Sequence, residues 1–241
     1  MNEFKYVGSE LDLFAAVHNW KSYWSSRIRP FIRGDVLEVG AGIGANTAYL
    51  DGGGNRRWVC LEPDAQLVDR MAGNLRQTAG SRRYEIVCGT AQNFGAEDFD
   101  TILYIDVLEH IDHDREELES AAMLLRDGGR LIVLAPAHPC LFTPFDAAIG
   151  HFRRYNRTML RNISPASLRI EKLWYLDSAG FLLSAANRLL LSQSMPTKAQ
   201  LAFWDRCVVP VSRVLDPCFF GLAGKSVIGI WLRAGGIASN A

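Results

Sequence analysis

Residues 36–44 read Val-Leu-Glu-Val-Gly-Ala-Gly-Ile-Gly: a short apolar run carrying one acid, then glycine at every second position. Gly40, Gly42 and Gly44 remove β-carbons where the chain must turn sharply and let a ligand come within contact of the backbone. A helix that follows such a turn points its N-terminus at that ligand, so the chemistry expected here is nucleotide binding. Two ligand classes use the turn. Gly40, Gly42 and Ala45 satisfy the G-x-G-x-x-G/A spacing of a pyrophosphate cradle. Glu38 argues for the other class, because a carboxylate two residues before the first glycine repels a pyrophosphate and suits a cationic or amino-bearing ligand.

Other chemistry-bearing residues follow in order. Leu61-Glu62-Pro63-Asp64 places an acid where a second strand should end, able to accept hydrogen bonds from two ribose hydroxyls or to cap the helix that Asp64 opens. Cys88-Gly89-Thr90-Ala91-Gln92-Asn93 and Ile105-Asp106-Val107-Leu108-Glu109-His110 stand at two further strand ends. Gly150-His151-Phe152-Arg153-Arg154-Tyr155 adds two adjacent arginines, which in a loop can clamp a carboxylate or phosphate, or pair with chain carboxylates such as Asp146. His110, His138 and His151 are candidate bases, since an unperturbed imidazole titrates near neutrality. No His/Cys/Asp cluster shows metal-ligand spacing and no Ser-His-Asp arrangement is suggested, so neither a metal nor a covalent intermediate is expected.

The elements that must position these residues alternate. Apolar residues at helical spacing (Leu11, Phe14, Val17, Trp20, Tyr23, Trp24, Ile28) predict a leading helix that Pro30 ends. Strands are expected at 35–40, 57–62, 83–88, 99–105 and 129–135, with helices near 44–51, 64–78 and 113–126: the βαβ rhythm of a parallel sheet. The run to Arg154 is irregular and rich in Pro, Phe and His, and a connection of that length is more often functional than idle. Beyond it come a helix from Asn156, a strand near 169–175, helices near 178–192 and 199–215, and a last strand at 226–233.

The chain has 241 residues, 49% hydrophobic, which suits one α/β domain. Its parts read as a leading helical lid (1–33), a ligand-binding core (34–136), substrate-covering helices (137–225) and the final strand. Lys plus Arg and Asp plus Glu number 26 each, without the basic excess that binding to phosphate backbones requires, so nucleic acid is not an expected partner. Five dispersed cysteines suit a reducing compartment; with no leader-like start and no long apolar run, a cytoplasmic protein is expected. The apolar C-terminal third leaves room for peripheral membrane contact and for a homodimer.

The acid-before-glycine form at 38–44 resembles motif I of class I S-adenosylmethionine-dependent methyltransferases, and Tyr104-Ile105-Asp106-Val107-Leu108-Glu109-His110 looks like motif IV of the small-molecule members. The resemblance implies a Rossmann-like α/β fold with a mainly parallel seven-stranded sheet and an antiparallel last strand. It implies S-adenosylmethionine as cofactor, held by Glu38, Gly40, Ala41 and Gly42, with Glu62 and Pro63 at the ribose. Ala91 with Thr90 or Gln92 would meet the adenine, although Thr90 stands where the family usually has an acid. Ile105, Asp106 and Val107 would flank the methionine part, and His110 would face the reaction space. Asn19-Trp20-x-x-Tyr23 resembles an element that precedes motif I in some members, making Tyr23 a candidate cofactor lid. Gly150–Tyr155 resembles a G-H-x-R-R-Y element of methyltransferases associated with glycan and lipid-linked sugar pathways. An anionic or sugar-bearing substrate held by Arg153 or Arg154 is expected there, with His138 a further substrate contact and His151 or Tyr155 as base. The expected activity is methyl transfer to an O or N atom of a small molecule, a sugar or glycolipid among the options. The rivals are an NAD(P)-dependent oxidoreductase and a catalytically silent cofactor-binding domain.

Overall fold

The computed structural model describes residues 11–78, 84–95, 98–190 and 197–235. Seven strands form one sheet: β1 (Asp35–Val39), β2 (Arg57–Glu62), β3 (Glu85–Cys88), β4 (Phe99–Ile105), β5 (Leu125–Pro136), β6 (Leu168–Leu176) and β7 (Ser226–Arg233). Their order is β3-β2-β1-β4-β5-β7-β6. Only β7 runs against its neighbours, pairing antiparallel with both β5 and β6. The class I methyltransferase topology expected from the sequence is therefore present, antiparallel strand included.

The central strands are buried on both faces, which is why they read as unbroken apolar runs. In β4, Ile102 and Tyr104 enter one core with Leu37, Val59 and Val133, while Leu103 and Ile105 enter the other with Val36, Trp58 and Ile132. Helices cover these faces: α1 (Leu11–Ala15), α2 (His18–Ile28), α3 (Thr47–Leu50), α4 (Ala65–Thr78), α5 (Asp114–Leu124), α6 (Pro144–Ala148), α7 (Arg157–Asn162), α8 (Ser178–Leu190), α9 (Lys198–Phe203) and α10 (Val209–Leu215).

Several boundaries differ from the sequence expectation. The leading helix is two pieces, broken before His18, and the helix expected at 44–51 shrinks to α3 because the glycine turn occupies its start. The helix expected at 113–126 ends at Leu124, and β5 begins at once with Asp127-Gly128 inside it, pairing with β4 across a register shift. The helix expected at 199–215 contains a π segment, Trp204–Val208, one residue before Pro210. Pro210 has no N–H for the carbonyl one turn back, and widening the preceding turn accommodates the loss. Arg83 and residues 191–192, parts of two expected elements, lie outside the described residues.

The chain adds β2 and β3 on one side of β1, then β4 and β5 on the other, so strand order reverses between β1 and β4. Side by side in register, those two strands release their loops from the same edge, Val39 opposite Tyr104. The crevice outside such a reversal is where open α/β sheets bind ligands.

Candidate active site

The glycine turn leaves β1 with Gly40, Gly42 and Gly44 at φ of 64°, 57° and 73°. At Gly40 the need for glycine is also spatial: a Cβ would lie 2.6 Å from Val107 Cγ2. The turn is pinned across strands by Ala41 N–H donating to the Leu61 carbonyl (3.0 Å) and by Gly42 N–H donating to Glu62 Oε2 (2.9 Å). Glu62 Oε1 accepts from Asp64 N–H (3.1 Å), while Asp64 caps α4 through Gln66 N–H (2.8 Å). Capping thus belongs to Asp64, leaving Glu62 as a buried carboxylate aimed at the turn; burial raises its pKa, against the two amides.

A cavity of about 930 Å³ opens above the reversal point. Gly40, Ala41, Gly42, Ile105 and Asp106 line it, as do His110, His151 and Arg154 from the later motifs. Aromatic and aliphatic side chains make most of the wall, among them Phe14, Trp20, Trp24, Phe142, Phe145 and Trp204. Asp106 sits at φ 54° at the end of β4, its amide bonded to the Leu134 carbonyl (2.8 Å), and opens onto this space. Enclosure by protein lifts its carboxyl to about 6, against the pull of His151, Lys21 and Lys225.

Backbone hydrogen bonds bring the 150–155 segment over the strand ends. Phe152 N–H donates to the Glu109 carbonyl (2.8 Å), Tyr155 N–H to the Pro136 carbonyl (2.9 Å) and His138 N–H to the Tyr155 carbonyl (2.8 Å). The His151 ring thereby stands edge-on to His110, centroids 4.5 Å apart. Beneath them Glu109 is wholly buried. Burial, reinforced by Asp106, pushes its carboxyl well above the usual carboxylate range. Loss of water lowers His110 to about 4, so that imidazole is neutral at neutral pH.

Asp146 holds this region together. Buried in α6, it accepts from Thr143 N–H and Oγ1 (2.8 Å each), from His151 Nδ1 (3.0 Å) and from Arg154 Nε and Nη2 (2.8 and 3.0 Å). Burial would raise its pKa, but the bonds from His151, Arg154 and Thr143 reverse the effect and hold it well below the usual carboxylate range. Arg154 is therefore committed to Asp146, as the pairing alternative in the sequence anticipated, and presents its remaining surface to the cavity.

Several residues named from the sequence stand elsewhere. Tyr23 donates its hydroxyl to buried Asp216 (2.7 Å), which also accepts from the Asp177 and Ser178 amides, and so packs in the helical layer away from the cavity lining. Glu38 lies behind the turn, accepting from Thr47 Oγ1 (2.9 Å) and Trp58 Nε1 (3.0 Å). Burial lifts it to about 7, so it braces the loop and does not face a ligand. Tyr155 donates to Asp114 (2.8 Å) and the Leu108 carbonyl (3.1 Å); burial and that carboxylate raise its pKa, which removes it as a base. Arg153 pairs with Asp112 and Asp114 (3.0 and 2.7 Å), anchoring the segment from outside. His138 stacks on Tyr175 and bonds the Gly224 carbonyl (3.0 Å), turned away from the cavity. Pro63, Thr90, Ala91 and Gln92 stand at the ends of β2 and β3 beside the cavity and not in its lining; Thr90 and Asn93 form a reciprocal cap there. Val107 packs beneath Gly40.

Two cations escaped the sequence reading. Lys21 shares the buried face of α2 with Trp20 and Trp24, and its Nζ donates to the Ala45 carbonyl (3.2 Å) on the glycine turn. Burial lowers it to about 8, with Asp106 the main opposing charge. A lysine on the apolar stripe of a helix was the available signal. Lys225 reaches the cavity from the residue before β7, its Nζ 4.4 Å over the Trp204 ring, and nothing local marked it.

Residues 37–131 match the family described as "Methyltransferase domain". A probable non-canonical nonribosomal peptide synthetase, CymA, of Salinispora arenicola is 30% identical over 146 residues, 57% of this chain and 2% of that protein. The O-methyltransferase cnsE of Penicillium expansum is 30% identical over 122 residues, 49% of this chain and 44% of that protein. The chain thus spans less than half the length of these curated relatives. Among solved structures, a geranyl diphosphate methyltransferase in complex with S-adenosylmethionine superposes with a TM-score of 0.64 at 14% identity, covering 94% of this chain and 91% of that one. At that identity the likeness speaks for the fold.

Proposed function

We propose that the chain is a class I S-adenosylmethionine-dependent methyltransferase, a reading supported by the methyltransferase-domain match over residues 37–131, and that it methylates an O or N atom of a small molecule with a large apolar body, such as a lipid-linked sugar. The observation that carries the proposal is the cavity: about 930 Å³, walled mostly by aromatic and aliphatic side chains, with Asp106, His110, His151 and Lys225 among its polar groups. Such a space suits an acceptor whose bulk is buried by hydrophobic contact and whose reactive atom is placed by a few polar groups.

The residues present fit the cofactor. Gly42 leaves open room at the cavity wall, where a Cβ would meet nothing nearer than Leu11 at 3.8 Å. Gly40, Ala41, Gly42, Ile105 and Asp106 would hold the amino-acid end, Glu62 and Pro63 the ribose, and Thr90, Ala91 and Gln92 the adenine. When bound, the cofactor supplies a sulfonium-activated methyl group. The chain's own part is position and exclusion of water: Trp20, Phe142 and Trp204 close the walls around the acceptor. His110, neutral at neutral pH, lines the cavity and offers an unprotonated ring nitrogen to the reaction space.

Calorimetric titration with S-adenosylhomocysteine and, separately, NADH tests the cofactor, with Glu62→Ala as the variant. Saturable binding of the first that weakens in the variant is expected; binding of NADH alone overturns the reading. Transfer of labelled methyl to a panel of hydroxyl- and amine-bearing acceptors tests the substrate. Label appearing only on compact, polar acceptors removes the apolar-acceptor proposal.

A further inference from the structure

Glu109 is an anomaly as a structural residue. It is 0% exposed, and neither carboxylate oxygen has a hydrogen-bond partner among the described residues. Buried carboxylates in folded proteins are almost always satisfied, and one that is not calls for an occupant. Around it stand two imidazoles. One ligand atom from each of Glu109, His110 and His151 can be chosen so that all three lie within 4.8 Å of one another. His151 Nε2 is 3.8 Å from Glu109 Oε1, and all three residues line the cavity.

We propose that Glu109, His110 and His151 form a binding site for a divalent transition-metal ion. The surroundings orient the ligands for that task. Asp146 accepts from His151 Nδ1 at 3.0 Å, which fixes the ring's tautomer and leaves the Nε2 lone pair directed toward Glu109. A carboxylate behind a metal-ligating histidine is the usual support of such sites. The backbone of Gly150 bonds the His110 ring, so the second imidazole is also held from behind.

Two imidazoles and one carboxylate select an ion of borderline softness, such as Zn²⁺, Mn²⁺, Fe²⁺ or Co²⁺, over the oxygen-preferring Mg²⁺ and Ca²⁺. Three protein ligands leave positions open on the cavity side. Those positions suit an oxygen donor of the acceptor, a clause that rests on the methyl-transfer reading, whereas the metal site itself does not. The sequence expectation of no metal missed the cluster because His151 lies far along the chain from the Glu109-His110 pair.

The test uses the full chain, stripped with a chelator and titrated calorimetrically with ZnCl₂, with no cofactor or acceptor present. One equivalent is expected to bind. Glu109→Gln and His151→Ala should each weaken binding by about 10- to 100-fold or more, and Asp146→Asn by about 10-fold. His113→Ala, an exposed histidine outside the cluster, should leave it unchanged. Absence of saturable one-equivalent uptake, or uptake indifferent to Glu109→Gln and His151→Ala, overturns the proposal. Should those variants melt early, the Co²⁺ form of the unaltered chain decides. Ligand-field bands of nitrogen coordination support the site, and a spectrum equal to aqueous Co²⁺ removes it. S-Adenosylhomocysteine binding, measured separately, reports on the methyl-transfer reading, so failure of one leaves the other legible.

Discussion

Replacing Glu38 by glutamine should change how stability depends on pH, and the size of the change follows from where that carboxyl sits. Glu38 is buried, holds the Thr47 hydroxyl and the Trp58 indole, and has its pKa lifted from 4.5 to about 7, chiefly by loss of water. Between those values the native chain keeps a proton that the unfolded chain has released. Stability from this group is therefore fully present below the unfolded pKa and is lost as pH rises through the native one. At about 1.4 kcal/mol per pH unit the full effect is about 3 kcal/mol, most of it falling between roughly pH 5 and 8.5. Glutamine keeps an acceptor for Thr47 and Trp58 and does not ionise. Guanidinium denaturation of the native sequence and Glu38→Gln at half-unit pH steps should thus give curves that nearly coincide at low pH. They should separate by about 3 kcal/mol, variant more stable, at high pH. The difference between the two proteins cancels the titrating groups that do not interact with Glu38; Lys21, Asp51 and Cys60 are those that do. A difference that stays flat across the range, or that grows toward low pH, refutes the placement of Glu38 as a buried scaffold acid.

Gly40→Ala must adopt φ 64° and strike Val107, so it should lose S-adenosylhomocysteine binding in calorimetry and about 1–3 kcal/mol of stability by denaturation. Glu62→Ala removes the acceptor of Gly42 N–H and should weaken S-adenosylhomocysteine by about 1–3 kcal/mol, read as a 5- to 150-fold change in Kd of roughly that order. Asp146→Ala strands Arg154 inside the protein and should cost about 3–5 kcal/mol, whereas Asp146→Ala with Arg154→Met should recover part of it in a double-mutant cycle. Tyr155→Phe should lower the melting temperature while leaving methyl-transfer rates within a few-fold, because the hydroxyl serves Asp114 and Leu108; a collapse of kcat with stability intact would restore it as a catalytic group.

Strands 57–62, 99–105 and 226–233 were legible to the residue, since burial on both faces leaves an apolar run with sharp polar ends. The glycine turn was equally legible, because positive φ is a local demand that side-chain chemistry meets with few residue types. Local pattern therefore determined the fold and where the glycine turn stands in it. Partnerships among polar side chains were decided elsewhere. Glu38 looked like a ligand-facing acid until Trp58 and Thr47 were seen to enclose it. Tyr155, Arg153 and Arg154 read as a substrate clamp, yet each is held by a carboxylate from another element: Asp114, Asp112 or Asp146. The gathering of Glu109, His110 and His151 needed the 150–155 segment to fold back over the end of β4 through the Phe152–Glu109 backbone bond. Periodicity records which face of an element is buried. A charged group's partner depends on which elements meet at that depth, and only the tertiary structure brings those elements together.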